Sequence, residues 1–126
     1  MKKKDKELLL KDLCERLPYG VKATTTSNGW NGIYTITGYA NDRIYLDCPV
    51  YDNGDDEWLV ESVKHYLRPM SSMTDKELDT LWSIWEDNTA SEAASKMTDF
   101  LNKRHLDHHH LIDKGLALEA LKGMYK

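Results

Sequence analysis

The segment from residue 21 to residue 63 constrains the fold most, because short β-branched and aromatic runs alternate there with turn-forming pairs. Asparagine followed by glycine or aspartate tolerates the backbone that tight hairpin turns require. Such pairs occupy positions 28–29, 31–32, 41–42 and 53–54. Within residues 43–48, the apolar Ile44, Leu46 and Cys48 alternate with polar or tyrosine side chains. The segment therefore predicts three or four antiparallel strands that bury one side of a small sheet.

An amphipathic helix is predicted before this sheet. Its apolar stripe has helical spacing and comprises Leu10, Leu13, Cys14 and Leu17. Asp12 and Arg16 fall between these positions, so they are predicted to face water. Pro18 ends the pattern, because the residue before a proline is driven out of helical geometry.

A second helix is predicted after the sheet, where Thr74 and Glu77 form a capping box. The residues that follow have helical spacing and comprise Leu78, Leu81, Trp82 and Trp85. Two tryptophans on one stripe are typical of a face that packs into a core. Trp82 and Trp85 are therefore predicted to point inward.

A third helix is predicted from about Ser91 to Arg104, with Thr89 or Ser91 as its N-cap. Its predicted inward residues are Ala94, Met97, Phe100 and Leu101. Asp107 then caps a short helical turn that Gly115 ends, and another stretch runs from Leu116 to Lys122.

The order helix, β-meander, helices predicts a single α+β domain over residues 1–126, with the sheet packed against the helices. An SH3-like or partly open barrel is one arrangement of such a meander. A chain of this length buries one core rather than two.

Charge and cysteine usage limit the function classes. The formal net charge is −4, and residues 42–61 hold seven acids against the single base Arg43. That balance opposes broad nucleic-acid binding, which needs a basic surface. Apolar runs are too short for a membrane span or a secretion signal, and Cys14 and Cys48 are interpreted as reduced thiols. A cytoplasmic protein without a membrane partner is predicted.

Four stretches carry a family resemblance: LLLKDLC at 8–14, RLPYGVK at 16–22, YLRPMSSMT at 66–74 and LIDKGLALEA at 111–120. Together they resemble a family of short uncharacterised proteins of gut anaerobic bacteria and their prophages. The resemblance implies a bacterial or phage origin, a cytoplasmic setting and a role in mobile-element biology. Members of such families commonly carry other residues, often aromatic, arginine or glycine, at positions 108–110, and this departure weakens the interpretation of these histidines as a metal site.

The histidines at 105 and 108–110 form the candidate metal cluster. His105 and His109 would share a face of a helix, a spacing that zinc sites use. No His-Glu-x-x-His motif or cysteine pair accompanies them, so a metal-dependent hydrolase is the weakest of three functional alternatives. The acidic residues 52–57 are interpreted as a hairpin turn rather than a calcium loop. No catalytic residue and no cofactor is predicted.

The predicted meander is rich in aromatic residues. Its candidate partner-binding residues are Trp30, Tyr34, Tyr39, Tyr45 and Trp58. Exposed aromatic surface favours protein interfaces, so the first prediction is a non-enzymatic interaction or accessory protein that meets a protein partner or a second copy of itself. The alternative is a small nucleic-acid-binding regulator that stacks bases on the same residues.

Overall fold

The computed structural model describes residues 2–25, 32–47 and 55–125. It contains three helices, α1 over Lys3–Arg16, α2 over Asp75–Asp87 and α3 over Ala90–Lys103. The strands are β1 Lys22–Thr25, β2 Tyr34–Ala40, β3 Arg43–Asp47, β4 Asp55–Leu59, β5 Val63–Leu67 and β6 Leu118–Glu119. The predicted α+β order is therefore confirmed.

The strands form one sheet in the order β4-β3-β2-β1-β5-β6. Strands β1 to β4 make the predicted antiparallel meander. Strand β5 then returns to the free side of β1 and places His65 opposite Ala23. The short β6 pairs with β5 in parallel, with Leu118 opposite Tyr66. The described strands leave β4 and β6 as unpaired edges, so the sheet is open rather than a closed barrel.

The core lies between α1, one side of the sheet and the turns near the C-terminus. Ile44 and Leu46 are fully buried, as their alternation predicted. The buried apolar cluster comprises Leu9, Leu13, Val21, Ala23, Ile36, Ile44, Leu46, Val60, Val63, Leu67, Leu111, Leu116 and Ala117. Burial of these side chains supplies the main driving force for folding.

Two charged residues of α1 are buried, so the prediction that Asp12 and Arg16 face water was wrong. Arg16 Nε donates to Asp12 Oδ2 at 2.8 Å, and Arg16 Nη2 donates to the carbonyl oxygen of Leu106 at 2.6 Å. Buried charges persist where they are paired and hydrogen-bonded. Helix α1 therefore turns this pair, together with Leu9 and Leu13, toward the body of the protein.

Helix α2 shows the opposite departure. Trp82 and Trp85 are 57% and 52% exposed, so the prediction that they point into the core was wrong. Within α2, all of which the structure describes, the one buried residue is Glu77. Because α2 turns the side that carries Glu77 toward β5, its apolar stripe lies along α3 and remains accessible to water.

The predicted caps agree with the structure, but the inward face of α3 does not. The Thr74 capping box is complete, and Thr89 caps α3 by accepting from the Glu92 backbone. Ala93 and Asn102 are the buried residues of α3, whereas Ala94, predicted to be inward, is exposed. Ala93 lies one position before Ala94 and therefore points about 100° away from it around the helix axis, so the buried face of α3 differs from the predicted one.

Asp107 caps the turn that follows α3, as predicted. Its carboxylate accepts from the backbone N–H groups of Leu111 and Ile112 at 2.8 and 3.0 Å. Gly115, with a φ of +74°, then redirects the chain toward β6. This turn brings His108 and His109 against Asp12 and Glu15 of α1.

Candidate functional site

An apolar groove runs along the α2–α3 hairpin. We define it by the residues that line it, which are Leu78, Leu81, Trp82, Trp85 and Met97. The cavity has a volume of about 350 Å³. Leu78 is 44% exposed, in addition to the two exposed tryptophans. Contiguous exposed side chains of this size mark interaction sites on soluble proteins.

The rim of the apolar groove is acidic on the α2 side. Asp75, Asp79, Glu86 and Asp87 are all exposed, and Lys76 is the one basic residue of this fully described helix. Helix α3 is balanced, with Glu92 and Asp99 against Lys96 and Lys103. The surface beside the tryptophans therefore carries net negative charge.

A bidentate ion pair fixes the hairpin to the sheet. Arg68, at the end of β5, donates through Nη2 to Glu77 Oε1 at 2.7 Å and through Nη1 to Glu77 Oε2 at 2.9 Å. The hydrogen bonds from Arg68 lower the pKa of Glu77 to about 2, against the opposing effect of burial. The carboxylate that completes the capping box of α2 is thus also its anchor to the sheet.

A second candidate site is the histidine–carboxylate cluster, which we define as Asp12, Glu15, His108 and His109. One ligand atom of each of Asp12, His108 and His109 lies within 4.8 Å of the other two. His109 Nε2 lies 3.3 Å from Glu15 Oε2 and 3.9 Å from Asp12 Oδ1. His108 Nε2 lies 3.9 Å from Glu15 Oε2. Two imidazoles and two carboxylates therefore converge between α1 and the turn after α3.

Only one oxygen of the Asp12 carboxylate has hydrogen-bond partners among the described residues. Its Oδ2 accepts from Arg16 and lies 2.7 Å from His65 Nε2, whereas among the described residues no donor reaches its buried Oδ1. Burial raises the pKa of Asp12, but the hydrogen bond with His65 and the charge of Arg16 outweigh it and lower the pKa to about 2. The carboxylate is therefore ionised at neutral pH, with a free oxygen facing His109.

His108 is neutral at physiological pH. Burial and the nearby Arg16 charge lower its pKa to about 4. Its Nε2 lies 2.8 Å from Asn102 Oδ1. A neutral imidazole at physiological pH can donate a lone pair to a metal ion without first losing a proton.

The structure separates the predicted ligands His105 and His109. Helix α3 ends at Lys103, and His105 has a φ of +60°, so no helix places the two on one face. His105 instead stacks on Tyr125 with ring centroids 3.7 Å apart. Burial, aided by the charges of Arg16 and Arg68, lowers its pKa to about 4. His109 does belong to the histidine–carboxylate cluster, but the second histidine of that cluster is His108 and not the predicted His105.

The predicted aromatic surface is divided between the two sides of the sheet. Tyr34 pairs with the buried Ala23. Tyr39 and Trp58, on the two neighbouring strands, both pair with the buried Ile44, so all three aromatic residues lie on the core side of the sheet. Tyr45 pairs with Glu57 on the outer side. Tyr34 and Trp58 pack against the core, and Tyr39 is 49% exposed. Trp30 lies outside the described residues, as do Cys48 and residues 52–54 of the acidic turn.

Comparisons with protein-family models, with curated proteins and with solved structures return no match. In the described part of the chain, the longest apolar helical stretches fall short of what crossing a bilayer would require. The apolar groove and the histidine–carboxylate cluster are therefore the two candidate functional sites of the described residues.

Proposed function

We propose that this protein is a non-enzymatic accessory protein that binds a partner protein through the apolar groove. The observation that supports this proposal is the exposure of Leu78, Trp82 and Trp85 side by side on one helix. Exposing such side chains to water is unfavourable, and tryptophan is strongly enriched among residues that dominate binding energy. The interaction predicted from the sequence is kept, but its surface is moved from the sheet to the hairpin.

The partner that fits the apolar groove is an amphipathic helix with basic flanks. Two antiparallel helices leave a channel into which a third helix can lay its apolar face. The exposed acids Asp75, Asp79, Glu86 and Asp87 would meet lysine or arginine beside that face. The same acids repel phosphate, so the groove favours a protein partner over nucleic acid.

The proposal includes the cytoplasmic location and the mobile-element origin predicted from the sequence. The location is supported by the interpretation of the cysteines as reduced thiols and by the family resemblance, and the origin is supported by the family resemblance alone. The genes that neighbour this one test the origin, because a protein of mobile-element origin should be encoded within a phage or mobile-element operon.

A binding titration tests the apolar groove. We expect a synthetic basic amphipathic helix of leucines and lysines to shift the tryptophan fluorescence of the protein to shorter wavelength, and an acidic counterpart of equal length to have no effect. The double substitution Trp82→Ala and Trp85→Ala removes the reporting tryptophans, so its binding is measured by calorimetry, and it should weaken binding of that peptide at least about a hundredfold. Tyr39→Ala, an exposed aromatic on the sheet, is the matched control and should bind normally.

Three results would replace this proposal. Loss of binding in Tyr39→Ala but not in the tryptophan variant would return the site to the sheet. A dimer in light scattering that the tryptophan substitutions dissociate would make a second copy the occupant. Oligonucleotide binding that weakens steeply with added salt would favour the nucleic-acid regulator.

A further inference from the structure

We propose that the histidine–carboxylate cluster binds one divalent transition-metal ion, with Zn²⁺ the best match, and that the ion joins α1 to the turn after α3. This site is independent of the apolar groove. The ligands are His108, His109, Asp12 and Glu15.

The spacing of the donors suits a tetrahedral ion. Ligand atoms around a tetrahedral zinc lie about 3.4 Å apart, given metal–ligand bonds of about 2.1 Å. His109 Nε2 is already 3.3 Å from Glu15 Oε2 and 3.9 Å from Asp12 Oδ1. His109 and Glu15 have side chains that are 19% and 26% exposed, so they can make the remaining adjustment of about 1 Å and give an ion access from solvent.

The free oxygen of Asp12 is the second observation that points to a ligand. A buried carboxylate oxygen without a hydrogen bond is unfavourable, and native proteins seldom leave one so. Asp12 is fully buried, and its Oδ1 faces His109. An ion at the centre of the cluster would satisfy this oxygen, while Arg16 and His65 continue to hold Oδ2 and thereby orient the carboxylate.

The donor set selects the class of ion. Two imidazoles favour zinc and its neighbours in the first transition row, whereas Mg²⁺ and Ca²⁺ prefer sites made of oxygen alone. Two carboxylates against the single Arg16 charge leave the cluster at net −1 when both imidazoles are neutral, which favours a cation. Coordination through His108 Nε2 would require the imidazole proton to lie on Nδ1 and would replace the hydrogen bond that Nε2 donates to Asn102 Oδ1, 2.8 Å away.

A titration of the metal-free, tag-free protein with Zn²⁺ tests the site. We expect one equivalent to bind and to raise the melting temperature, because an ion that binds the folded state alone stabilises it. Co²⁺ should give the intense visible absorption of a tetrahedral complex, and Mg²⁺ should have no effect. Glu15→Gln and His109→Ala should each weaken Zn²⁺ binding at least about tenfold.

His110→Asn is the matched control. His110 is exposed and adjacent, it is outside the cluster, and asparagine tolerates its positive φ of 59°. This variant should bind Zn²⁺ as the wild type does. Glu15→Gln keeps the shape of a partly buried helical residue, so it remains informative even if His109→Ala does not fold. No Zn²⁺ binding by the wild type up to about 1 mM, or equal affinity in Glu15→Gln and wild type, would overturn the proposal.

Discussion

Helices α1 and α2 have nearly the same length, 14 and 13 residues, and both show an apolar stripe in the sequence, yet they use their faces in opposite ways. Helix α1 buries Asp12 and Arg16 beside its leucines. Helix α2 leaves Trp82 and Trp85 in water and buries Glu77. One helix thus hides charge and the other exposes hydrophobic surface.

The difference shows that hydrogen-bond partners decide which face turns inward when two faces compete. Asp12 meets Arg16 and His65, and Glu77 meets Arg68. In each helix the buried charge has a partner that compensates its loss of water. The apolar stripe of α2 has no such counterpart on the sheet, and this makes it the better candidate for a surface kept for another molecule.

The largest expected effect comes from the buried pair of α1. Asp12→Ala should lower the free energy of unfolding by about 3 to 5 kcal/mol, because it leaves the guanidinium of Arg16 buried without its carboxylate. Urea denaturation in the presence of a chelator measures this change. Glu15→Gln, one turn away on the same helix, should cost less than about 1 kcal/mol. If the two variants were equally stable, the buried charges of α1 would not be what orients it.

A smaller effect is expected from pH. The pKa of His105 falls from 6.5 to about 4, and that of Glu77 from 4.5 to about 2. The unfolded chain therefore binds more protons than the folded one in both windows, so stability falls as pH falls. His105 contributes its loss between pH 6.5 and 4, up to about 3 kcal/mol, and Glu77 contributes below about pH 4.5.

Two asparagine variants measure how much His105 contributes to the loss of stability between pH 6.5 and 4. His105→Asn should reduce the fall in unfolding free energy between pH 6.5 and 4 by about half, because His108, whose pKa is also lowered to about 4, titrates in the same window, whereas His110→Asn should leave the fall unchanged. Both positions have positive φ, 60° and 59°, which asparagine accepts, so backbone strain is matched. Urea titrations across this range measure the slopes. Identical slopes in the two variants would show that His105 is not the group that titrates.

The smallest expected effect comes from the apolar groove. Trp82→Ser should change the free energy of unfolding by less than about 1 kcal/mol, because more than half of the side chain is already in water. Ile44→Ala, in the core, should cost about 2 to 5 kcal/mol and provides the scale. A loss in Trp82→Ser as large as that in Ile44→Ala would mean that the tryptophan supports the fold rather than a partner.

Local patterns predicted the elements whose signals are local. The turn pairs and the alternation around Ile44 and Leu46 identified the meander, and Thr74 with Glu77 marked the start of α2. Strand β5 was missed because Lys64 and His65 interrupt its apolar pattern. His65 is a buried strand residue whose partner, Asp12, lies 53 positions earlier. Strand β6 has two residues and pairs in parallel, so no nearby sequence reveals it.

The candidate sites were harder to predict, for the same reason. Glu15 and His109 are 94 residues apart and meet through tertiary packing alone. One part of the cluster could have been predicted from the sequence. Asp12 and Glu15 are three residues apart on a helix, so they share a face of α1. The apolar groove was read as a core stripe, because periodicity reports that a face is apolar and not what covers it.

The attachment of the hairpin through Arg68 and Glu77 has a consequence for motion. A helix whose buried contact is a single glutamate can open without unravelling the sheet, so its amides should exchange with deuterium through a partial opening that costs less free energy than global unfolding. Amides of β1, hydrogen-bonded on both sides by β2 and β5, should exchange last. If α2 opens separately from the sheet in this way, we expect the apolar groove to adjust its width to an incoming helix while the sheet stays folded.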